Sequence, residues 1–366
     1  MSSRSLRSYG LYTLQEDYSL DTKVDLGYSL YMPTRIHPKP ISIAEIFIKF
    51  STDEQCLEYI QQMRWPDGIV RCPTCGDKNI EKYERPPQRV RKARSETRKP
   101  EKANRRAWFY ICLNNDCRQQ FSPTSGTLFA DSHLPLITWF HAIGLMLNAK
   151  KGISAKQLQR DLGIGGYKTA WYLNHRIREA MGAGDIPKLG GTVEIDETYV
   201  GGKVSGKGQS YAKKQKKVVM GAIQRGGDLR LQHVTGATLG TFRDFINATV
   251  SDDAERVMTD QHPAYPGALG SLADRHETVN HIIGEYVRGD VTTNTIESAF
   301  SLFKRGVIGQ YHKLSAKHLQ RYLREFEYRF NRRNDADVFI ETVRRLCGFK
   351  PLRFADLTSD PETVPS

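Results

Sequence analysis

Three acidic residues stand where a two-metal site would need them. Asp196 lies in the apolar run Thr192-Val-Glu-Ile-Asp-Glu-Thr-Tyr-Val, just ahead of Gly201-Gly202-Lys203. Asp260 closes Val257-Met-Thr-Asp, and Glu297 lies in Thr293-Asn-Thr-Ile-Glu-Ser-Ala-Phe-Ser-Leu-Phe-Lys304. Separated by 63 and 36 residues, they read as one strand end, a second strand end and a helix. Carboxylates gathered in this way hold two Mg²⁺ or Mn²⁺ ions, about 3.5–4 Å apart, for in-line displacement at phosphorus. Alternation along the first strand puts Glu194 and Asp196 on one face and turns Glu197 away. Asp196 is the first ligand, because the strand is expected to run out there into the glycine turn; Glu194 is the runner-up. Lys304 lies seven residues beyond Glu297, two turns along the same helical face, where it can hold a phosphate near the metals. Asn294, one turn before Glu297 on that face, is an additional or substitute ligand.

A second set of residues suits a softer metal. Cys72-Pro-Thr-Cys75-Gly and Cys112-Leu-Asn-Asn-Asp-Cys117 form two ligand pairs. A two-residue gap lets both thiolates of one turn reach one Zn²⁺ at about 2.3 Å, and a second turn completes a tetrahedron. Gly76 permits the positive φ that closes such a knuckle. Cys56 and Cys347 stand alone on apolar helix faces and read as small buried hydrophobes.

Basic charge is concentrated between the two pairs. The stretch 85–106 holds ten Lys and Arg, among them Arg91, Lys92 and Arg94, against Glu96 and Glu101. Its net charge of +8 is more than half of the chain's +13. With little apolar content it is expected to be disordered alone and to neutralise DNA phosphates. Further on, Lys151 to Arg178 fits a helix-turn-helix. Ser154 caps its first helix, Leu158 and Leu162 face a core, and Gly163 to Gly166 form the turn. The second helix carries Tyr167, Lys168, Asn174, His175, Arg176 and Arg178, of which Lys168, Asn174, Arg176 and Arg178 are the residues expected to touch DNA.

These residues need a multidomain frame, and 366 residues suffice for one. Residues 1–40 read as a flexible arm, 41–130 as the zinc module with its basic insertion, and 131–185 as the helix-turn-helix region. From 192 the period changes to strands, at 192–200, 217–224, 229–235 and 256–260, with a helix near 240–250 and more helices from 293 to about 346. Residues 190–350 are therefore expected to form an α/β domain with a mixed sheet and C-terminal helices, and 351–366 a tail that frays from Asp356. No apolar signal core and no run of about 18 apolar residues is present, so a cytoplasmic protein without a membrane span is expected.

The chain resembles the zinc-ribbon insertion-sequence transposases with an ISXO-like DDE domain. The likeness runs from about Phe47 to Asn334. It rests on Arg64-Trp-Pro-Asp-Gly, the Lys151–Met181 helices, Asp196-Glu-Thr-Tyr-Val-Gly-Gly-Lys, Thr293-Asn-Thr-Ile-Glu-Ser, Lys304-Arg-Gly, Gly309-Gln-Tyr-His and Arg329-Phe-Asn-Arg-Arg. The resemblance implies a ribonuclease-H-like domain in which Asp196, Asp260 and Glu297 hold two Mg²⁺ or Mn²⁺ ions and Lys304 is the following basic residue. It leaves the third ligand open between Glu297 and Asn294. It also implies a structural Zn²⁺, double-stranded DNA as partner (element ends and target), a homodimer or larger oligomer to pair two ends, and a bacterial, nucleoid-associated protein. Implied as well is cleavage at the element's ends, followed by attack of the 3′-OH on target DNA. Two other readings remain: a DNA-binding regulator whose α/β domain only dimerises, and a nuclease that hydrolyses without joining. The basic insertion between the cysteine pairs departs from the family pattern.

Overall fold

Ser42 and Thr52 each open a helix by the same device. In α1 (Ile43–Lys49) and α2 (Asp53–Arg64) the cap hydroxyl accepts from the third residue's N–H, and Glu45 or Gln55 reaches back to the cap's own N–H. The computed structural model describes residues 41–84, 108–182, 184, 186–201, 216–279 and 287–359. The expected arm, the whole of the basic insertion and the last seven residues lie outside these. After α2 the strands β1 (Ile80–Glu84), β2 (Trp108–Cys112) and β3 (Gln120–Phe121) form an antiparallel ribbon in that order. Trp108, Tyr110 and Cys112 alternate inward, and Gln61 accepts from both the Trp108 indole and the Tyr110 hydroxyl.

Three helices follow: α3 (Leu136–Asn148), α4 (Ala155–Asp161) and α5 (Tyr167–Met181). Ser154 caps α4 by accepting from Gln157 N, as the sequence predicts. Leu158 is fully buried beneath it. α5 is central rather than superficial, with nine buried residues, and it joins α1–α3 and the ribbon in one continuous core. Val338, Phe339, Val343 and Leu346 enter the same core. They belong to a helix expected at the end of the α/β domain, so the chain returns to its N-terminal half after finishing the sheet.

The sheet has five strands: β4 (Thr192–Val200), β5 (Lys217–Gln224), β6 (Leu229–Val234), β7 (Arg256–Asp260) and β8 (His276–Val279). Their order is β6-β5-β4-β7-β8, antiparallel through β6, β5 and β4 and parallel through β4, β7 and β8. α6 (Leu239–Thr249) and the single turn α7 (Tyr265–Ala268) cover one face, packing Phe242, Phe245 and Tyr265 on Val193 and Ile195. A short hairpin, β9 (Val287–Arg288) and β10 (Val291–Thr292), leads into α8 (Asn294–Gly306), which runs on into a π-helical turn, Val307–Tyr311. α8 covers the other face and sits so close that a Cβ on Gly221 of β5 would lie 2.7 Å from Phe300.

The long helix α9 (Ala316–Asn331) masks the edge of β6. Gln320, Glu327 and Asn331 share one face of it and accept from the N–H groups of His233, Leu231 and Leu229. Gln320 and Asn331 also donate to the carbonyls of Leu231 and Leu229. An edge strand that would otherwise offer unpaired backbone groups is thereby closed. α10 (Val338–Gly348) follows, then α11 (Phe354–Thr358). This last helix carries the described chain past Asp356, where fraying is expected to begin: Leu357 is buried and Phe354 packs edge-on to Tyr172 of α5.

Candidate functional site

The register of β4 and β7 brings the first two carboxylates together. The strands pair in parallel at Thr192–Arg256, Val193–Val257 and Glu194–Met258, so the same offset sets Asp196 level with Asp260. Pairing stops at Glu194, and beyond it the strands part. Asp196 is thus not at the end of β4, which continues to Val200 against β5; it is at the end of the parallel pairing. Carboxyl ends of parallel strands are where open α/β sheets place their ligand sites. Glu197 N donates to Asp196 Oδ1 at 2.8 Å and His262 N donates to Asp260 Oδ1 at 3.0 Å, which fixes both carboxylates.

Glu197 corrects the sequence reading. It lies on the opposite strand face from Asp196, as alternation demands, and Tyr265 donates its hydroxyl to it at 3.2 Å. Yet carboxylate oxygens of Asp196, Glu197 and Asp260 all lie within 4.8 Å of one another, beyond the last paired residues of β4 and β7. Burial, then the charges of Glu197 and Asp260, push the Asp196 carboxyl up to about 8. Burial and Asp260 push Glu197 up as well. Three carboxylates that resist sharing one space are what divalent cations relieve, and all the donors are hard oxygens.

Glu194, the runner-up ligand, has other work. Its carboxylate is completely buried and accepts from Arg225 Nε, Thr295 Oγ1, Thr295 N and Ile296 N, at 2.8 to 3.1 Å. It neutralises Arg225 and caps the N-terminus of α8, where the helix dipole favours an anion. With four donors engaged it is not available to a metal. Its effect is to anchor α8 against β4, which carries Glu297 and Lys304 towards the acids.

Glu297 stays outside the tight cluster, but its charge contributes to raising Asp196, and Thr293 Oγ1 donates to it at 3.1 Å. Lys304 is partly buried on the same helix; burial pulls its pKa down while Asp196 pushes it up. Asn294 is exposed at the first position of α8.

The four knuckle cysteines meet as their spacing predicts. Cys72 and Cys117 Sγ atoms are 3.7 Å apart, and those of Cys75 and Cys112 are 3.6 Å apart. Tetrahedral bonds of about 2.3 Å to zinc separate sulfurs by roughly 3.8 Å, so the thiols fit a structural Zn²⁺. Cys56 is fully buried and Cys347 packs against the same core, away from the four.

The expected recognition helix is corrected at most of its residues. Asn174, His175, Arg176 and Arg178 are 0–2% exposed and cannot enter a groove. Arg178 instead forms a buried ion pair of 2.6 Å with Glu325 of α9, which also accepts from Arg329 and Tyr311. Lys168 and Tyr167, in the first turn, are exposed. Arg91, Lys92 and Arg94 lie outside the described residues.

An N-terminal thiol ribbon, a mixed five-stranded sheet and an acid cluster at its parallel strand ends define a protein with one soft and one hard candidate metal site. Comparison with known proteins gives the family. Residues 188–331 match the ISXO2-like transposase domain and residues 51–93 the transposase zinc-ribbon domain. The chain belongs to the insertion-sequence transposases built from these two domains. The ribbon match holds Cys72 and Cys75 and stops within the basic insertion; Cys112 and Cys117 follow the insertion. A protein of Halobacterium salinarum described as an uncharacterized protein in transposable element ISH50 is 28% identical over 295 residues, 76% of this chain and 91% of its own length. No described helix is long and apolar enough to cross a membrane.

Proposed function

We propose that this chain is the DNA transposase of its insertion sequence, which cuts DNA at the element's ends and joins the freed 3′-OH to target DNA. The observation that carries this reading is the Asp196, Glu197 and Asp260 cluster inside the matched transposase domain. Asp196 and Asp260 are the central ligands, Glu197 a further ligand from the opposite face, and Glu297 an outer one, with Asn294 its alternate. Two Mg²⁺ or Mn²⁺ ions held there would activate the attacking oxygen and stabilise the leaving one. Lys304 holds a phosphate of the scissile strand from the α8 side, and Glu194 keeps that helix in place. An antiparallel β6-β5-β4 meander continued by parallel β7 and β8 supports a ribonuclease-H-like domain.

The α4–α5 pair with its Gly163–Gly166 turn supports a helix-turn-helix that faces DNA with Lys156, Arg160, Tyr167 and Lys168, all exposed. The zinc ribbon and the 85–106 insertion add phosphate contacts whose affinity falls with salt. Pairing two ends calls for at least two copies, at work on DNA in the bacterial cytoplasm and nucleoid. A strand-transfer assay tests the reading: labelled duplexes carrying the element's ends, a supercoiled plasmid, and Mg²⁺ or EDTA, beside Asp260→Ala. Metal-dependent joining, lost in the variant, is expected. Tight end binding with no cleavage or joining in any metal would instead favour a regulator, and cleavage without joining a nuclease.

A further inference from the structure

α8 carries a row of residues out of the sheet and into solvent. Asp196 of β4 pairs with Gly221 of β5, so both project on one face, and Phe300 of α8 rests on that glycine. Lys304, on which the charge of Asp196 acts, follows one turn later and is partly buried. Ile308 follows after four more residues and is 74% exposed. An exposed isoleucine needs no explanation by itself; the setting of this one does. Residues 298–324 hold six Lys and Arg and no Asp or Glu, and Arg305, His312 and Lys313, its neighbours in the chain, are exposed. The backbone here is a fixed corner. His312 N–H donates to Val307 O at 2.7 Å and closes the π-helical turn, and Lys313 N–H donates to Tyr311 O at 2.6 Å. Between them His312 has φ 58° and ψ −50°, a strained turn for a residue other than glycine. Tyr311 anchors the corner: its hydroxyl donates to buried Glu325 at 3.2 Å, and its ring leaves no room for a Cβ at Gly152. A Cβ at Gly306 would lie 2.7 Å from Lys151 O. The tip is open to solvent and its base cannot yield.

We propose that Ile308 is a wedge that enters a base step of the element's end beside the phosphate to be cut, with Arg305 and Lys313 on the flanking phosphates. An apolar side chain pushed between bases leaves water and offsets part of the stacking it disrupts, and the kink it makes lets the duplex bend. Positive charge without a single acid along residues 298–324 suits a polyanion better than another apolar surface. Position along the helix selects the DNA concerned. Ile308 lies about 6 Å beyond Lys304, the rise of four residues, which is one or two nucleotides along a strand. Lys304 is assigned to the scissile strand, so the tip meets that same duplex. A step opened there would let the strand turn towards Asp196 and Asp260. The proposal rests on the transposase reading above.

The full-length, zinc-loaded protein is bound, with Ca²⁺ in place of Mg²⁺, to end duplexes carrying 2-aminopurine at successive positions, and to target duplexes labelled in the same way. Fluorescence of this base rises when it unstacks. A severalfold rise is expected at one or two adjacent positions beside the cleavage site of the end, and none in the target. Ile308→Ser, a surface change that spares the core, should abolish the rise and lower cleavage in Mg²⁺ roughly tenfold, part of the cost of opening a step. A mismatch built into that step should restore cleavage by the variant, which a merely structural role for Ile308 would not allow. No rise on a well-bound end, or a rise that Ile308→Ser leaves unchanged, would overturn the wedge and leave the functional reading intact. A rise confined to the target would overturn the assignment to the element's end. A smaller oligomer in Ile308→Ser with the DNA signal unchanged would make the tip an interface between copies instead. Failure to bind any duplex would sink the functional reading, and the proposal with it.

Discussion

The thiol cluster and the carboxylate cluster each gather ligands around a small space, and they are built in opposite ways. The thiols come from two tight turns beside short antiparallel strands, so each pair is set by its own few residues. The carboxylates come from separate elements, and only the parallel register of β4 and β7 sets Asp196 level with Asp260. The thiol cluster has the geometry that one soft ion would satisfy, and such an ion would hold the ribbon together. The acid cluster is held together by the fold, against its own repulsion, with Asp196 raised to about 8 by burial and neighbouring charge. One cluster thus suits a structural metal, while the other gathers like charges, as the proposed catalytic role requires.

Substitutions should separate the two. Asp196→Asn or Asp260→Asn should lower cleavage and joining by roughly a thousandfold or more, the scale of several kcal/mol of metal stabilisation, with bound zinc unchanged. Metal analysis and the strand-transfer assay together check this. Cys112→Ser should release zinc and unfold the ribbon, because the metal's binding energy is folding energy there, yet leave Mn²⁺ binding at the acids intact. Circular dichroism with a zinc indicator reports it. Glu194→Gln should destabilise the protein by about 3 kcal/mol, by leaving Arg225 unpaired and weakening the α8 cap, in denaturant melts. Glu197→Gln should do the reverse in metal-free protein, with a small gain in stability and weaker Mn²⁺ binding.

The smallest effect is on pH. A carboxyl near 3.8 when unfolded and near 8 when folded keeps its proton in the folded state, so its contribution favours folding at low pH and is lost as pH rises from about 4 to about 8. Divalent ions remove that loss. The gain in melting temperature on adding Mg²⁺ should therefore grow between pH 6 and pH 8.5. Glu327, buried against β6, is raised to about 7 and titrates in the same range, so the difference between metal-bound and metal-free protein is the informative quantity. An equal Mg²⁺ shift at both pH values would contradict the Asp196 assignment.

What could be read in advance follows the range of the forces involved. The cysteine quartet, the Ser154 cap and the strands bearing Asp196 and Asp260 announce themselves in local spacing and period. Glu197 does not, because alternation assigns a face but cannot say where pairing with β7 ends. β8, with the residues His-Glu-Thr-Val, is a short edge strand without an apolar period. The basic residues of α5 look like a solvent-facing surface until Glu325, 147 residues away, is seen to neutralise Arg178. Glu194 likewise looks like a ligand until α8 docks on it.

The most direct test is Mn²⁺ binding to the zinc-loaded protein, followed by calorimetry and electron paramagnetic resonance, for wild type, Asp196→Asn and Glu194→Ala. Saturable binding of two Mn²⁺ per wild-type chain, abolished by Asp196→Asn, is the predicted result. Folded Glu194→Ala should retain it, since that carboxylate serves α8 rather than the ions. Undiminished binding in Asp196→Asn would show that the ions, and with them the chemistry, lie elsewhere.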